Sequence, residues 1–231
     1  MTKRGRARIG ALVPFTNTNL EPDLAMLAPP GVSIHVARLG GYDADAIPDA
    51  GQMAGLGAAD LDEPLRLLSG ARPDAVLYGC TSATLAHGPE FDRALAEKVR
   101  ATSGAHCITA AGALVAELRR LGVVRIGFAS PYVRTLNDIA IAFLAESGFE
   151  TVSRADWPED LGNDGQGALT PEEVHAHGLV ADSLRAQALV LSCTDMRAAE
   201  CADRLEAATG KPVITSNKAM MACALRVLDA T

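Results

Sequence analysis

The second half of this 231-residue chain repeats the first half. Three apolar segments recur in the same order: residues 9–15 at 126–132, residues 75–81 at 188–194 and residues 104–111 at 210–217. Their separations are 126 − 9 = 117, 188 − 75 = 113 and 210 − 104 = 106, so they shrink slowly as loops of different length intervene. Three ordered matches are hard to obtain by chance. The duplication therefore predicts two lobes of similar fold, related by a pseudo-twofold axis.

Each lobe alternates short β-branched apolar runs with longer helical patterns, which is typical of βα units around a parallel sheet. Of the residues, 48% are hydrophobic but only 4% are aromatic, so small aliphatic side chains must fill the core, as suits helices packed on a parallel sheet. We predict an α/β fold of two similar four-stranded parallel sheets with the active site between them. Lobe 1 is expected to comprise residues 1–112 and 216–231, and lobe 2 residues 113–215.

The predicted elements follow the apolar spacing. The strands are predicted at residues 8–13, 33–37, 75–78, 107–108, 124–128, 151–153, 188–191 and 213–214. The helices are predicted at residues 61–68, 91–101, 112–120, 136–147, 171–184 and 198–208. Thr170, followed by Pro171 and two glutamates, marks the clearest helix start.

Charge and motifs exclude several classes of function. The chain has 21 basic and 28 acidic residues, a net charge of 21 − 28 = −7, and no basic stripe, so nucleic acid is not an expected partner. It contains no apolar run of about 18 to 20 residues, and residues 1–8 lead into a strand too short for a signal-peptide core, so we expect a soluble cytosolic protein. The absence of dinucleotide, P-loop and zincin motifs leaves no sequence support for those cofactor or metal sites.

Five cysteines are scattered over the chain: Cys80, Cys107, Cys193, Cys201 and Cys223. Their number is odd and no two form a CxxC pair, so neither a disulfide framework nor a structural zinc site is expected. Cys107 lies in a predicted strand, while Cys201 and Cys223 lie in helical patterns. We expect these three to be packing residues.

Cys80 and Cys193 differ from the others because they occupy equivalent positions of the repeat. Each follows an apolar strand and precedes a threonine. Ligands of parallel sheets bind at the carboxyl ends of the strands, and a helix N-terminus there lowers the pKa of a thiol from its usual value of about 8.5. We expect both thiols to lie at helix N-termini and to face one cleft.

Other polar residues gather at the same predicted edge. Residues 14–19 follow the first strand and are suited either to bind a carboxylate or to form a turn that caps a helix. Tyr132 follows the fifth strand, and Asp195 is suited either to orient a ligand or to cap the next helix. His87 is the histidine placed nearest the cleft.

With two cysteines at equivalent strand ends, the chain resembles the aspartate/glutamate racemase superfamily, and within it the branch of maleate cis-trans isomerases and arylmalonate decarboxylases. The resemblance covers nearly the whole length. Its most specific segments are residues 13–18, 78–80, 131–132 with Asn137, 192–193 and 211–217. It implies an enzyme without metal or cofactor that binds a small carboxylate between its lobes, as a homodimer or homotetramer.

The resemblance also implies roles for individual residues. Cys80 and Cys193 correspond to the catalytic pair. Six residues correspond to substrate contacts: Asn17, Thr81, Ser82, Tyr132, Asn163 and Thr194.

Three functional hypotheses follow. Arylmalonate decarboxylases carry glycine where Cys80 stands, so we favour isomerisation of a maleate-type dicarboxylate through a Cys80 adduct, with Cys193 as acid and base. Cys-Thr at both positions is closer to amino-acid racemases, so the alternative is two-base racemisation of aspartate, glutamate, a hydantoin or an ectoine-derived compound. A third hypothesis, from another class, is a non-catalytic carboxylate-binding or redox-sensing protein.

Overall fold

The computed structural model describes residues 7–40 and 61–229, and within this part it contains eight strands and nine helices. The strands are β1 (Ala7–Pro14), β2 (Val32–Leu39), β3 (Ala75–Tyr78), β4 (His106–Thr109), β5 (Arg125–Ala129), β6 (Glu150–Ala155), β7 (Ala188–Leu191) and β8 (Val213–Thr215). The helices are α1 (Leu20–Leu27), α2 (Asp62–Ser69), α3 (Thr81–Ser103), α4 (Ala110–Arg120), α5 (Arg134–Glu146), α6 (Gly162–Ala168), α7 (Pro171–Val180), α8 (Ala202–Thr209) and α9 (Ser216–Asp229).

The strands form two parallel sheets with the same strand order. One sheet runs β2-β1-β3-β4 and the other β6-β5-β7-β8. All eight predicted strands are present, and the predicted α/β fold with two similar four-stranded parallel sheets is confirmed. None of the described helices has both the length and the apolar character that a membrane span requires.

The central strands explain why the site forms where it does. All four residues of β3 and all four of β7 are buried, as expected for strands covered on both faces. The segments that carry seven of the eight predicted site residues follow β1, β3, β5 and β7, the two central strands of each sheet, and Asn163 follows the edge strand β6. Parallel pairing brings their carboxyl ends to one edge of each sheet.

One apolar core joins the two sheets. It includes Ile9 and Leu77 from the first sheet and Ile126 and Val190 from the second. Helix α9 contacts α1, α4, β3 and β4, so it packs mainly on the first sheet. The lobe boundaries near residues 112 and 215 stay a prediction.

The helices differ from prediction in several places. Helix α3 begins at Thr81 rather than at residue 91 and is interrupted at Gly88, whose φ of 76° is left-handed. Helix α8 begins at Ala202 rather than at 198, so Cys201 precedes it. The segment predicted as a loop around Asn163 contains α6, whose three glycines have low helix propensity.

The three cysteines other than Cys80 and Cys193 are packed as predicted. Cys201 is buried in the core of the second sheet. Cys107 and Cys223 are partly buried against two other core clusters. The predicted start of α7 is also confirmed, because Thr170 and Glu173 form a reciprocal capping box.

Candidate active site

A narrow cleft, with a cavity volume of about 20 Å³, lies at the carboxyl ends of the central strands. The residues that line it are Pro14, Thr16, Asn17, Cys80, Ser82, Tyr132, Asn163, Gln166, Cys193, Thr194 and Asp195. Seven of the eight predicted site residues are among them. The exception is Thr81, whose hydroxyl donates to Ser216 Oγ at 3.0 Å. His87, exposed and stacked on Phe91, is not a lining residue.

Cys80 lies at the N-cap of α3, as predicted. Gly79 precedes it, and a Cβ there would overlap Leu20 Cδ2 and come within 3.0 Å of Leu12 O, so only glycine lets the chain pass between β1 and α1. Burial raises the pKa of the Cys80 thiol, and hydrogen bonds from the backbone and side chain of the first helical turn offset part of this effect. The net effect is that the pKa of Cys80 is raised above its ordinary value.

Cys193 has a different environment from Cys80. No helix starts at Thr194, because a turn separates Cys193 from α8, which begins at Ala202. Its Sγ lies 3.5 Å from Tyr132 Oη and accepts from the Asp195 backbone N–H at 3.3 Å. Burial, with the nearby Asp195 carboxylate, raises its pKa to about 12. The prediction that helix N-termini lower both thiol pKa values was therefore wrong, because burial outweighs the helix end at Cys80 and no helix end is present at Cys193.

A row of hydrogen bonds connects the two thiols. Cys80 Sγ lies 3.7 Å from Ser82 Oγ. Ser82 and Cys193 both hydrogen-bond the Tyr132 hydroxyl, and burial raises the pKa of Tyr132 well above its ordinary value. The phenol is thus a neutral donor and acceptor between the two sulfur atoms.

The loop after β1 contacts both the start of α1 and the cleft. Asn17 Oδ1 accepts from the N–H of Leu20, the first residue of α1, at 2.9 Å, and Asn17 Nδ2 donates to Thr194 Oγ1 at 3.0 Å. Both roles considered for residues 14–19 are therefore compatible with the structure. Thr194 Oγ1 in turn donates to Gly79 O at 2.9 Å, which brings the Cys80 and Cys193 segments together.

Asp195 holds the same loop from the second sheet. Its Oδ1 accepts from the N–H groups of Thr18 and Asn19, at 2.9 and 3.1 Å, and from Asn19 Nδ2 at 2.9 Å. It does not cap α8, which starts seven residues later (202 − 195 = 7). These contacts occupy two of the loop N–H groups that were candidates for carboxylate binding.

Tyr132 is fixed by residues behind the cleft. Its N–H donates to Ser130 Oγ at 3.1 Å, and its carbonyl accepts from Asn137 Nδ2 at 3.0 Å. His177 Nε2 lies 2.9 Å from Ser130 O. Asn137 belongs to a segment of the family resemblance, whereas the role of His177 was not predicted.

Helix α6 contributes two amides to the cleft, Asn163 and Gln166. Gln166 Nε2 donates to Asn163 Oδ1 at 3.4 Å. Gln166 was missed as an individual residue, because a glycine-rich segment gives no periodic signal. None of the lining residues is Lys, Arg or His, so a bound carboxylate would be held by N–H and O–H donors.

Comparison with known proteins identifies the family. The sequence profile described as arylmalonate decarboxylase matches residues 10–231. The chain belongs to the arylmalonate decarboxylase family. It is 32% identical over 240 residues to a maleate isomerase of Nocardia farcinica, covering 97% of this chain and 91% of the relative. It is 28% identical over 221 residues to the arylmalonate decarboxylase of Bordetella bronchiseptica, covering 90% and 82%.

A solved structure of a maleate isomerase has the same fold as this member of the family. This chain matches the structure of a cysteine-to-serine variant of Nocardia farcinica maleate cis-trans isomerase with a TM-score of 0.85. That structure contains a covalently bound succinylcysteine intermediate. Identity is 26%, and the match covers 97% of this chain and 94% of that one. The resemblance inferred from sequence is confirmed, and these relatives do not favour the racemase alternative.

Proposed function

We propose that this family member is an isomerase that converts a cis-enedioate of the maleate type into its trans isomer through a covalent adduct on Cys80. The observation that carries the proposal is the placement of two buried thiols in one cleft, connected through Ser82 and Tyr132. The succinylcysteine of the related isomerase supports an adduct of this kind.

The reaction needs only the two sulfur atoms as covalent and proton-transfer groups. Cys80, as thiolate, adds to one olefinic carbon, and the electron pair of the double bond moves onto the neighbouring carbon and its carboxylate. Cys193 gives that carbon its proton, leaving a single bond that rotates. The Cys193 thiolate then removes the same proton, the double bond forms again as trans, and Cys80 leaves as thiolate.

Donors around the cleft stabilise the enediolate-like charge of this pathway. In the proposal, Asn17, Ser82, Tyr132, Asn163 and Thr194 contact the carboxylates. Thr81 contributes its backbone N–H at the start of α3, because its hydroxyl is bonded to Ser216.

The direct test follows maleate and fumarate by proton NMR. Cys80→Ala and Cys193→Ala are each expected to abolish turnover, and Cys107→Ala, which alters a thiol outside the cleft, is the matched control. With maleate, Cys193→Ser should retain an adduct on the Cys80 peptide that mass spectrometry detects. Fumarate formation at the normal rate by either alanine variant would rule out the proposed roles.

The remaining parts of the proposal concern the working state of the enzyme. We propose that it needs no metal or organic cofactor, acts in the cytosol and assembles as a homodimer or homotetramer. Activity that survives dialysis against a chelator tests the first statement. Light scattering after size-exclusion chromatography tests the assembly.

A further inference from the structure

We infer that the preferred substrate is a carboxylate that also presents N–H groups, such as the monoamide of a cis-enedioic acid, and that Asp195 and Gln166 accept those N–H groups. The inference rests on the proposed function, since it names the substrate class of the same cleft. Two hydrogen-bond acceptors in the cleft and the negative charge of the cleft support this inference.

Gln166 supplies the first acceptor. Its side chain lines the cleft and is only 6% exposed. Its Nε2 donates to Asn163, but its Oε1 has no hydrogen-bond partner. Buried carbonyl oxygens without a partner are uncommon and costly in proteins. A ligand that donates a hydrogen bond to Oε1 removes that cost.

Asp195 supplies the second acceptor. It is 4% exposed and also lines the cleft. The hydrogen bonds from the Thr18 and Asn19 side chains and backbone all end on Oδ1, and Oδ2 takes none of them. An ionised carboxylate accepts hydrogen bonds and cannot donate them. Oδ2 therefore suits an N–H group of a ligand better than a second carboxylate.

The charge of the cleft points the same way. Asp195 is the charged side chain among the lining residues, which include no Lys, Arg or His. A dicarboxylate would bring two negative charges beside this aspartate without a cationic side chain to offset them. A monoamide brings one negative charge and two N–H donors, so it satisfies both acceptors and reduces the repulsion.

The test compares kcat/KM for maleate and for its monoamide by proton NMR. We expect the wild-type enzyme to prefer the monoamide by about tenfold or more, because a site that hydrogen-bonds an N–H group rejects an analogue that lacks it. Asp195→Asn should lower this preference by about tenfold. Asp203→Asn removes the same charge from a side chain that is 89% exposed and bonded to Lys218, and should leave the preference unchanged.

A ratio of two substrates on one variant is insensitive to a general loss of active enzyme. If Asp195→Asn does not fold, Gln166→Leu removes the other acceptor and should also lower the preference for the monoamide. A wild-type enzyme that prefers maleate, or a preference that neither variant lowers, overturns this inference and leaves the proposed function intact. Failure to isomerise either compound, with no adduct on Cys80, overturns the proposed function itself.

Discussion

Cys80 and Cys193 occupy the same place in the two repeats but have unlike surroundings. The first turn of α3 provides N–H donors to Cys80, which favour its thiolate. Cys193 lies beside the Asp195 carboxylate, which favours its thiol. In the proposed mechanism, this asymmetry suits the two thiols to different tasks. Cys80 acts as the nucleophile, and Cys193 is the thiol that carries a proton at neutral pH.

The raised thiol pKa predicts a pH dependence. The proposed reaction needs Cys80 as thiolate, whereas Cys193, with a pKa of about 12, keeps its proton at neutral pH. We expect kcat/KM for cis-to-trans conversion to rise by about tenfold per pH unit between about pH 6.5 and about pH 8.5. A profile that is flat over this range would mean that Cys80 is already ionised in the free enzyme.

Tyr132→Phe tests the connection between the sulfur atoms. The variant removes the hydroxyl that lies 3.5 Å from Cys193 Sγ and keeps the ring that packs against the core of the second sheet. We expect kcat to fall by about 100-fold, as for the loss of one positioned donor, with little change in thermal stability. An unchanged kcat would show that the phenol does not take part.

The buried carboxyl group of Asp23 predicts an effect on stability. Its pKa is raised from 3.8 to about 6, mainly by burial; Glu200 and Asp195 contribute to the rise, while Asn217 and Arg197 oppose it. The folded state therefore binds this proton more tightly than the unfolded state. The contribution of Asp23 to the free energy of unfolding falls as pH rises from about 4 to about 6 and stays low above that.

Asp23→Asn mimics the protonated side chain. We expect the variant to be more stable than the wild type by about 1–3 kcal/mol at about pH 7.5, with the difference vanishing near pH 4. Urea unfolding at both pH values measures this difference. Asp203→Asn serves as the control, because pairing with Lys218 lowers the pKa of Asp203. A stability gain that persisted unchanged at about pH 4 would exclude ionisation of Asp23 as its cause.

At the scale of elements, the repeat carries a matched pair of glycines in β1 and β5. Gly10 and Gly127 are separated by the repeat offset, 127 − 10 = 117. A Cβ at Gly10 would meet the side chain of Leu68, with Cδ2 at 2.9 Å, whereas a Cβ at Gly127 would overlap the backbone oxygen of Ala181. Side chains adjust more easily than backbone. Gly10 should therefore tolerate an added Cβ better than Gly127, although the two glycines occupy equivalent positions of the repeat.

We therefore expect Gly127→Ala to destabilise the protein by about 1–3 kcal/mol or more and Gly10→Ala by less. Chemical denaturation of both variants measures the difference. An equal loss of stability in the two variants would show that the backbone at Ala181 moves as readily as the Leu68 side chain.

The elements also show how far sequence reasoning reached. Every strand in the described residues was predicted, because buried runs such as β3 and β7 are bounded by clear turn signals. Helix α6 was missed, because its three glycines have low helix propensity and interrupt the apolar pattern. The first part of α3 was missed for a related reason, since Gly88 interrupts its pattern.

At the scale of the whole molecule, the duplication predicted the cleft but not its electrostatics. Matching strand ends placed Cys80 and Cys193 together without any knowledge of contacts between the lobes. The direction of the thiol pKa depends on burial, which no local pattern reports. The bonds from Asp195 to Thr18 and Asn19 were equally hidden, because they join residues about 177 positions apart.

These bonds between distant parts of the chain have a consequence for folding kinetics. The contact between Asn17 and Thr194 spans 177 positions, and that between Asp23 and Asn217 spans 194. Such contacts form only after large segments of chain have come together, which makes them late events. On refolding from urea, we expect the helical signal in circular dichroism to return before catalytic activity. Recovery of both at one rate would show that the cleft assembles together with the sheets.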